Sequence, residues 1–414
     1  MIDTFDKESQ PLRDCGLDSD PLSLTNEEEF TASKFRKMLK IGVPPVSVKD
    51  KMKRAGVDSK IISVLLAKEG VSDETESAVP RTAEPPVAIP DAKQSEASNA
   101  RSKCPITMTN FESWGVSVDP RNPTFAWETM LKDNLPPLQV VDVVANDKYD
   151  SDDAPPVHTG GQPCPDGHSR WVCVSDTHGA HGRMAYPVPA GDVLIHAGDF
   201  SRMGEMRELE QFCEWMRSLP HEHKIVIAGN HDVAMDESFN ASGFYKLFHL
   251  FNNKAVDNNR AARELVRSYD AFTYLEDTST EVLGYKIYGS PWQPEFCNWA
   301  FNLPRGPDCA SKWRDIPNDT DILVTHGPPV GHGDLCTSGL RAGCVDLLAE
   351  ILKRAKKPIS HHIFGHIHEG YGCTRMGDTL FLNASTCTFG YRPSNPPLVF
   401  DLPSKFKNEM YKSF

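Results

Sequence analysis

Residues 192–232 read DVLIHAGDFSRMGEMRELEQFCEWMRSLPHEHKIVIAGNHD. Two short apolar runs, VLIHA (193–197) and IVIA (225–228), pass directly into the small and polar groups GDFS and GNHD. Between them MRELEQFCEWMRSL (206–219) reads as a helix. Apolar runs of four or five residues bounded this way fit strands buried on both faces. Strands alternating with helices imply a layered α/β fold.

The pattern recurs on either side. WVCV leads into SDTHG (171–179), DILVT into HGPP (321–329) and HHIF into GHIH (361–368). In such sheets ligands gather at the loops that follow the strand ends. Asp176, His178, Asp199, Asn230, His231, His326, His366 and His368 all fall there. Carboxylate, amide and imidazole donors without thiolate suit Mn, Fe or Zn in a reactive centre and not a structural zinc–cysteine site. Alternation along an extended segment lets D-x-H and H-x-H each converge on one point. One carboxylate can bridge two cations, and two metals about 3.5–4 Å apart stabilise both attacking and leaving oxygens. Taken singly, GD is a turn and His326 a core histidine; five motifs in order, each behind a buried strand, favour a joint metal site. His361 and His362 lie on the strand itself and are expected to pack. His332 and Asp334 read as loop contacts. The aromatics of SPWQPEFCNWAFNLPRG (290–306) fit either an apolar wall for a nucleobase or the core.

The 414 residues suffice for two or three domains. Hydrophobic residues make up 39% and charged residues 24%, and the net charge of −13 argues against a general binder of nucleic-acid polymers or anionic membranes. An anionic substrate remains compatible, because bound cations reverse the local field. The N-terminal MIDTFDKESQPLRD lacks a secretory pattern, and no apolar run reaches the ~18 residues of a membrane span. Eleven cysteines without a C-x-x-C pair read as reduced thiols, so a cytoplasmic location is expected.

D-x-H, GD, GNHD, H and G-H-x-H, in that order, resemble the signature of the calcineurin-like metallophosphoesterases. WVCVSDTHG, IYGSPWQPEFCNWAFNLPRG, THGPP, FGHIHEGYG and NASTCTFGYRPSNPPLVFDLP extend the resemblance to the metallophosphoesterase domain-containing branch over residues 110–404. It implies a four-layer α/β/β/α sandwich and two divalent metals, Mn favoured and Fe or Zn compatible. By the same resemblance, Asp176, His178 and His368 hold one metal, Asp199 bridges, and Asn230, His326 and His366 complete the second. His231 protonates the leaving oxygen, oriented by Asp232, while a hydroxide between the cations attacks phosphorus. The branch usually has Glu where this chain has Asp232, and SDTHSRT where it has SDTHGAHGR, with Arg183 as a substitute for the family's arginine. Arg305 and Arg341 are candidates for bidentate phosphate binding. Glycines 179, 198, 229, 327 and 365 are expected to let the backbone turn beside the ligands.

The resulting expectation is a two-metal phosphodiesterase domain at residues 108–414, acting on phosphate-ester small molecules such as cyclic nucleotides. The alternatives are a phosphomonoesterase or protein phosphatase, and a scaffold without activity. The intact His231 and His366 favour the enzyme. Residues 22–70 read as a small helical segment, with Thr25 and Glu28 spaced as a capping box and DSKIISVLLA as a further helix. KFRKMLKIGVPPVSVKDKMKRAGVD resembles a short motif of a WASH-complex subunit, which implies a protein partner for residues 26–68. Residues 71–106, rich in Pro, Ser, Ala and Glu without aromatics, read as a flexible linker. Residues 145–169 are expected to form a surface loop.

Overall fold

The apolar runs form strands because each face of their sheets has its own layer to enter. The computed structural model describes residues 59–68, 107–144, 157–241, 255–297, 299–354 and 356–405. Contacts divide the chain into two units, residues 1–100 and 101–414. Of the first unit one helix is described, α1 (Ser59–Lys68), with Ile61, Ile62, Val64 and Leu65 buried. The other expected N-terminal helices, the capping box and the linker lie outside the described residues.

The second unit contains, in chain order, β1 (Thr109–Phe111), β2 (Val116–Val118), β3 (Gln139–Val141), β4 (His168–Val174) and β5 (Val193–Ala197). Helix α2 (Met206–Ser218), β6 (His223–Ile227) and α3 (Ala255–Ser268) follow. Next come β7 (Thr273–Tyr274), β8 (Thr278–Val282), β9 (Tyr285–Ser290), β10 (Gln293–Pro294), β11 (Asn302–Leu303) and α4 (Pro307–Trp313). The chain continues with β12 (Ile322–Thr325), α5 (Val345–Leu352), β13 (His361–Phe364), β14 (Gly372–Met376), β15 (Thr379–Asn383) and β16 (Leu398–Pro403).

Two sheets carry the unit. One has five strands in the order β16-β4-β5-β6-β7 and the other seven in the order β3-β14-β15-β13-β12-β9-β8. Strands β4 to β7 run parallel, as do β9, β12, β13 and β15 at the centre of the larger sheet. Alternate side chains divide the layers. Trp171, Cys173, Val193, Ile195, Ile225 and Ile227 meet Ile287, Ile322, Val324, Ile363, Leu380 and Leu382 between the sheets. Val172, Val174, Leu194 and Val226 pack outward with Leu209, Phe212, Cys213 and Met216 of α2 and Ala262 and Val266 of α3. On the far side Leu323, Phe364 and Phe381 pack with Cys309 and Trp313 of α4 and Val345, Leu348 and Ile351 of α5. Each Val, Leu, Ile, Phe or Met among them contributes about 1.5–3 kcal/mol when fully buried. The order of layers is therefore α/β/β/α, as the family resemblance implied.

One local expectation shifts. The segment 145–169 is not wholly a surface loop: Val157 is buried, and His158 exchanges backbone hydrogen bonds with Val399 of β16, 2.8 Å in each direction. The apolar Val157 enters the layer between the sheets, a contact that its polar neighbours conceal. Helix α5 ends at Leu352. Arg354 turns back there, and its guanidinium donates to the carbonyls of Pro317 (2.6 Å) and Ile316 (2.7 Å).

Candidate metal centre

Parallel strands β4, β5, β6, β12 and β13 end beside one another, so the residues that follow them meet at one edge of the sandwich. They do not continue as extended chain. Asp176, His178, Asp199 and His366 adopt left-handed backbone, with φ of 52°, 43°, 54° and 68°. The expected alternation of D-x-H thus gives way to two left-handed bends, which still aim both side chains inward. Non-glycine residues rarely hold this conformation unless their surroundings enforce it. Here Asp176 N–H donates to Gly198 O and His178 N–H to Asp199 O, each at 2.9 Å.

The donor atoms lie close together. His178 Nε2 is 3.1 Å from His368 Nε2, and Asp176 Oδ1 is 3.4 Å from His368 Nε2 and 4.0 Å from His178 Nε2. Asp199 Oδ2 lies 3.7 Å from His178 Nε2, while its Oδ1 lies 3.3 Å from His326 Nε2. Asn230 Oδ1 faces His326 Nε2 at 3.0 Å and His366 Nδ1 at 2.8 Å. Asp199 thus points one oxygen at each half of the cluster.

These separations fit bound cations. Nitrogen and oxygen ligands about 2.1 Å from one ion lie about 3 Å apart when adjacent and about 4 Å when opposite. The hydrogen-bond pattern points the same way. A carbonyl can only accept, so the Nδ1 atoms of His326 and His368 carry their protons toward Ala197 O (2.9 Å) and Thr388 O (3.0 Å). Their Nε2 lone pairs then face the oxygens of Asp199, Asn230 and Asp176, an assembly of acceptors that a cation satisfies. Asp176 is fixed by Ser385 Oγ, which donates to Oδ2 at 2.8 Å, and by the backbone N–H of His366 at 3.0 Å.

Glycine makes room for the cluster. A Cβ on Gly365 would sit 2.0 Å from Asp176 Oδ2, and one on Gly229 would sit 2.3 Å from Asp199 Oδ1. Gly179 and Gly198 have positive φ, as a sharp turn requires, whereas Gly229, Gly327 and Gly365 serve close approach instead.

Electrostatics sort the histidines. Burial pushes His178 and His366 down to about 3, leaving them neutral with lone pairs available. Burial opposes charge on His326 as well, but the carboxylates of Asp199 and Asp176 outweigh it and push it up to about 9, so a proton competes with a cation for its Nε2. His368 is likewise raised against its burial by Asp176.

His231 stands over this cluster, its ring edge-on to His178 at 4.5 Å and stacked on Trp299 at 4.2 Å. Its backbone N–H donates to Asp199 Oδ1 at 2.8 Å. The expected partner Asp232 does not hold the ring. Its carboxylate accepts from Ser201 N–H and Oγ–H and from Gly229 N–H, at 2.6–2.8 Å, so it ties the two ligand loops together. The ring of His231 is held instead through Nδ1, 2.9 Å from the carbonyl of Arg202. Burial and the charge of Asp199 push Asp232 up to about 8 against those bonds.

Arg305 and Arg341 also take other roles. Arg305 donates to the carbonyls of Gly343 and Ala342, and Arg341 pairs with Asp334 (2.6 Å) and Glu128 (3.0 Å) over the ring of Trp127. Both guanidinium groups are committed to fixing the 341–343 loop, which corrects their assignment to phosphate. His332 is buried against Phe381, and His362 is buried beside Thr325 Oγ1. The 290–306 aromatics divide: Phe301 joins the core, while Phe296 meets His366 edge-on and Trp299 backs His231. Sequence reasoning missed Ser385, Thr388 and Tyr391, the last edge-on to His178 at 4.9 Å. For Ser385 the signal was present: the apolar TLFLN of β15 runs into AST, one more strand end with polar residues behind it.

A sandwich with carboxylate, amide and imidazole donors gathered at its strand ends defines a metal-dependent hydrolase of phosphate esters. The calcineurin-like phosphoesterase family matches residues 169–370. Metallophosphoesterase domain-containing protein 1 of Homo sapiens and that of Mus musculus are each 44% identical over 273 residues, 65% of this chain and 77% of theirs. UPF0046 protein T07D4.2 of Caenorhabditis elegans is 38% identical over 293 residues, 68% of either chain. The chain belongs to the calcineurin-like phosphoesterases, metal-dependent enzymes that generally use a binuclear divalent centre. Among the described residues, no helix is long and apolar enough to cross a membrane.

Proposed function

We propose that this protein is a two-metal phosphodiesterase of small phosphate esters, cyclic nucleotides included, with His231 as general acid. The observation that carries the reading is the position of His231 over seven converging donors: Asp176, His178, Asp199, Asn230, His326, His366 and His368. The two cations, Mn by preference, would lower the pKa of the attacking water and offset charge on the phosphoryl oxygens. Asp176, His178 and His368 would hold one, Asn230, His326 and His366 the other, with Asp199 shared. The carbonyl of Arg202 keeps the proton of His231 on Nδ1. When the ring is protonated, Nε2 therefore carries the proton that passes to the departing oxygen. Trp299 and His178 hold the ring in place while this happens. Asp232 acts as a positioning residue for the GD and GNHD loops. A cytoplasmic location is supported by the described cysteines, all free thiols. We assign residues 22–70 to a partner-binding segment and 71–106 to a tether; helix α1 supports the helical character of the first.

The test compares bis(p-nitrophenyl) phosphate with p-nitrophenyl phosphate on Mn-loaded protein, wild type and His231→Ala. Diester turnover should exceed monoester turnover and fall about 10²–10⁴-fold in the variant, with metal content unchanged. The loss should be smaller for p-nitrophenolate than for an alkoxide leaving group, which needs the proton more. Monoester preference would replace the diesterase reading with a phosphatase, and equal losses for both leaving groups would remove His231 as the acid.

A further inference from the structure

The rim of the metal centre is aromatic on two sides. Phe296, between β10 and β11, is 39% exposed and meets His366 edge-on at 4.7 Å. Tyr391, beyond β15, is 54% exposed and meets His178 and His368 edge-on at 4.9 and 5.3 Å. His366 belongs to the Asn230–His326 half of the cluster and His178 and His368 to the Asp176 half. The two exposed rings therefore flank opposite halves of one centre, on segments distant in sequence.

Core packing does not account for Tyr391. Half its surface faces solvent, and its φ of 57° is an outlier for so large a residue. A tight turn imposes that conformation: Tyr391 N–H donates to Thr388 O at 2.8 Å and Thr388 N–H to Arg392 O at 2.9 Å. Thr388 O also receives the Nδ1 proton of His368. One turn thus both orients a donor of the metal centre and holds an aromatic ring over it. Strain kept in such a place points to use.

We propose that Phe296 and Tyr391 are specificity-determining walls of a slot that receives a planar aromatic substituent of the phosphate ester. The inference rests on the phosphodiesterase reading above and names what that site selects. An ester with phosphorus over the donors must project its substituents past these rings. A flat π surface gains edge and face contacts there that a small alkyl group cannot make.

The experiment measures binding of phenylphosphonate and methylphosphonate to Mn-loaded protein by calorimetry, beside turnover of bis(p-nitrophenyl) phosphate. Wild type should bind the phenyl compound about tenfold more tightly, the size of one good aromatic contact. Phe296→Leu and Tyr391→Leu should each lose most of that preference while methylphosphonate affinity holds. Tyr391→Gly removes ring and backbone strain together, so its melting temperature should hold or rise while the preference disappears. Tyr391→Phe should retain the preference. Equal affinities in wild type, an undiminished preference in the Leu and Gly variants, or its loss in Tyr391→Phe would each overturn the slot. A protein that binds phenylphosphonate selectively yet turns over no diester would instead sink the phosphodiesterase reading.

Discussion

Gly365→Ala isolates the crowding that builds the centre. Its Cβ would lie 2.0 Å from Asp176 Oδ2 and 2.2 Å from Ser175 Oγ. The first contact is about 1.4 Å short of van der Waals distance. Asp176 must retreat, and doing so breaks its bonds from Ser385 Oγ and the His366 N–H. Two hydrogen bonds to a charged group contribute about 1.5–3 kcal/mol each, so losing even one lowers metal affinity roughly 10–100-fold. The assay is competition for Mn with a chromogenic chelator, with the melting temperature of the metal-free protein as control. Gly182→Ala, whose Cβ meets nothing within 4 Å, should leave both unchanged. A Gly365→Ala protein with wild-type metal affinity would refute the claim that close packing sets the donor geometry.

The Asp401 carboxylate accepts two bonds of 2.9 Å from the Arg170 guanidinium, on the β16–β4 pair. Burial opposes its charge, but Arg170 and His158 outweigh it and hold Asp401 well below the usual carboxylate range. Its stabilisation is therefore present above an unfolded pKa of about 4 and is lost as pH falls through the lower folded value. Asp401→Asn should cost about 3 kcal/mol at pH 7, and the gap to wild type should narrow below pH 4; a gap independent of pH would contradict this. If the centre binds cations as proposed, chelation should lower the melting temperature, since a ligand at 1,000 times its Kd stabilises by about 4 kcal/mol. Calorimetric scans with and without EDTA would show it, and coincident melts would argue that these residues bind no cation tightly.

What could be read in advance was what a strand end shows locally. WVCV, VLIHA and IVIA announced buried strands, and the Asp, Asn and His behind them announced a site. The partition into two sheets was not legible, because pairings such as β14 with β3 and β16 with β4 join residues over 200 positions apart. The same distance hid the partners of Arg341, whose Glu128 lies 213 residues away. Asp232 was read as the neighbour that orients His231, yet its side chain turns to the Gly198 loop, a choice made by the packing of two strands and not by adjacency. Tyr391 gave no local warning, since its position depends on a turn whose carbonyl answers to His368.

The left-handed backbone of Asp176, His178, Asp199 and His366 bears on how this protein could change. Each such residue costs roughly 1–2 kcal/mol relative to ordinary backbone, so four represent several kcal/mol within a net stability of about 5–15 kcal/mol. A search that rewards thermal stability alone would drift toward glycine or asparagine at these positions and discard the donors as it went. Engineering a sturdier enzyme should therefore begin in the helical outer layers, where Phe212 and Trp313 sit, and leave the strand ends untouched.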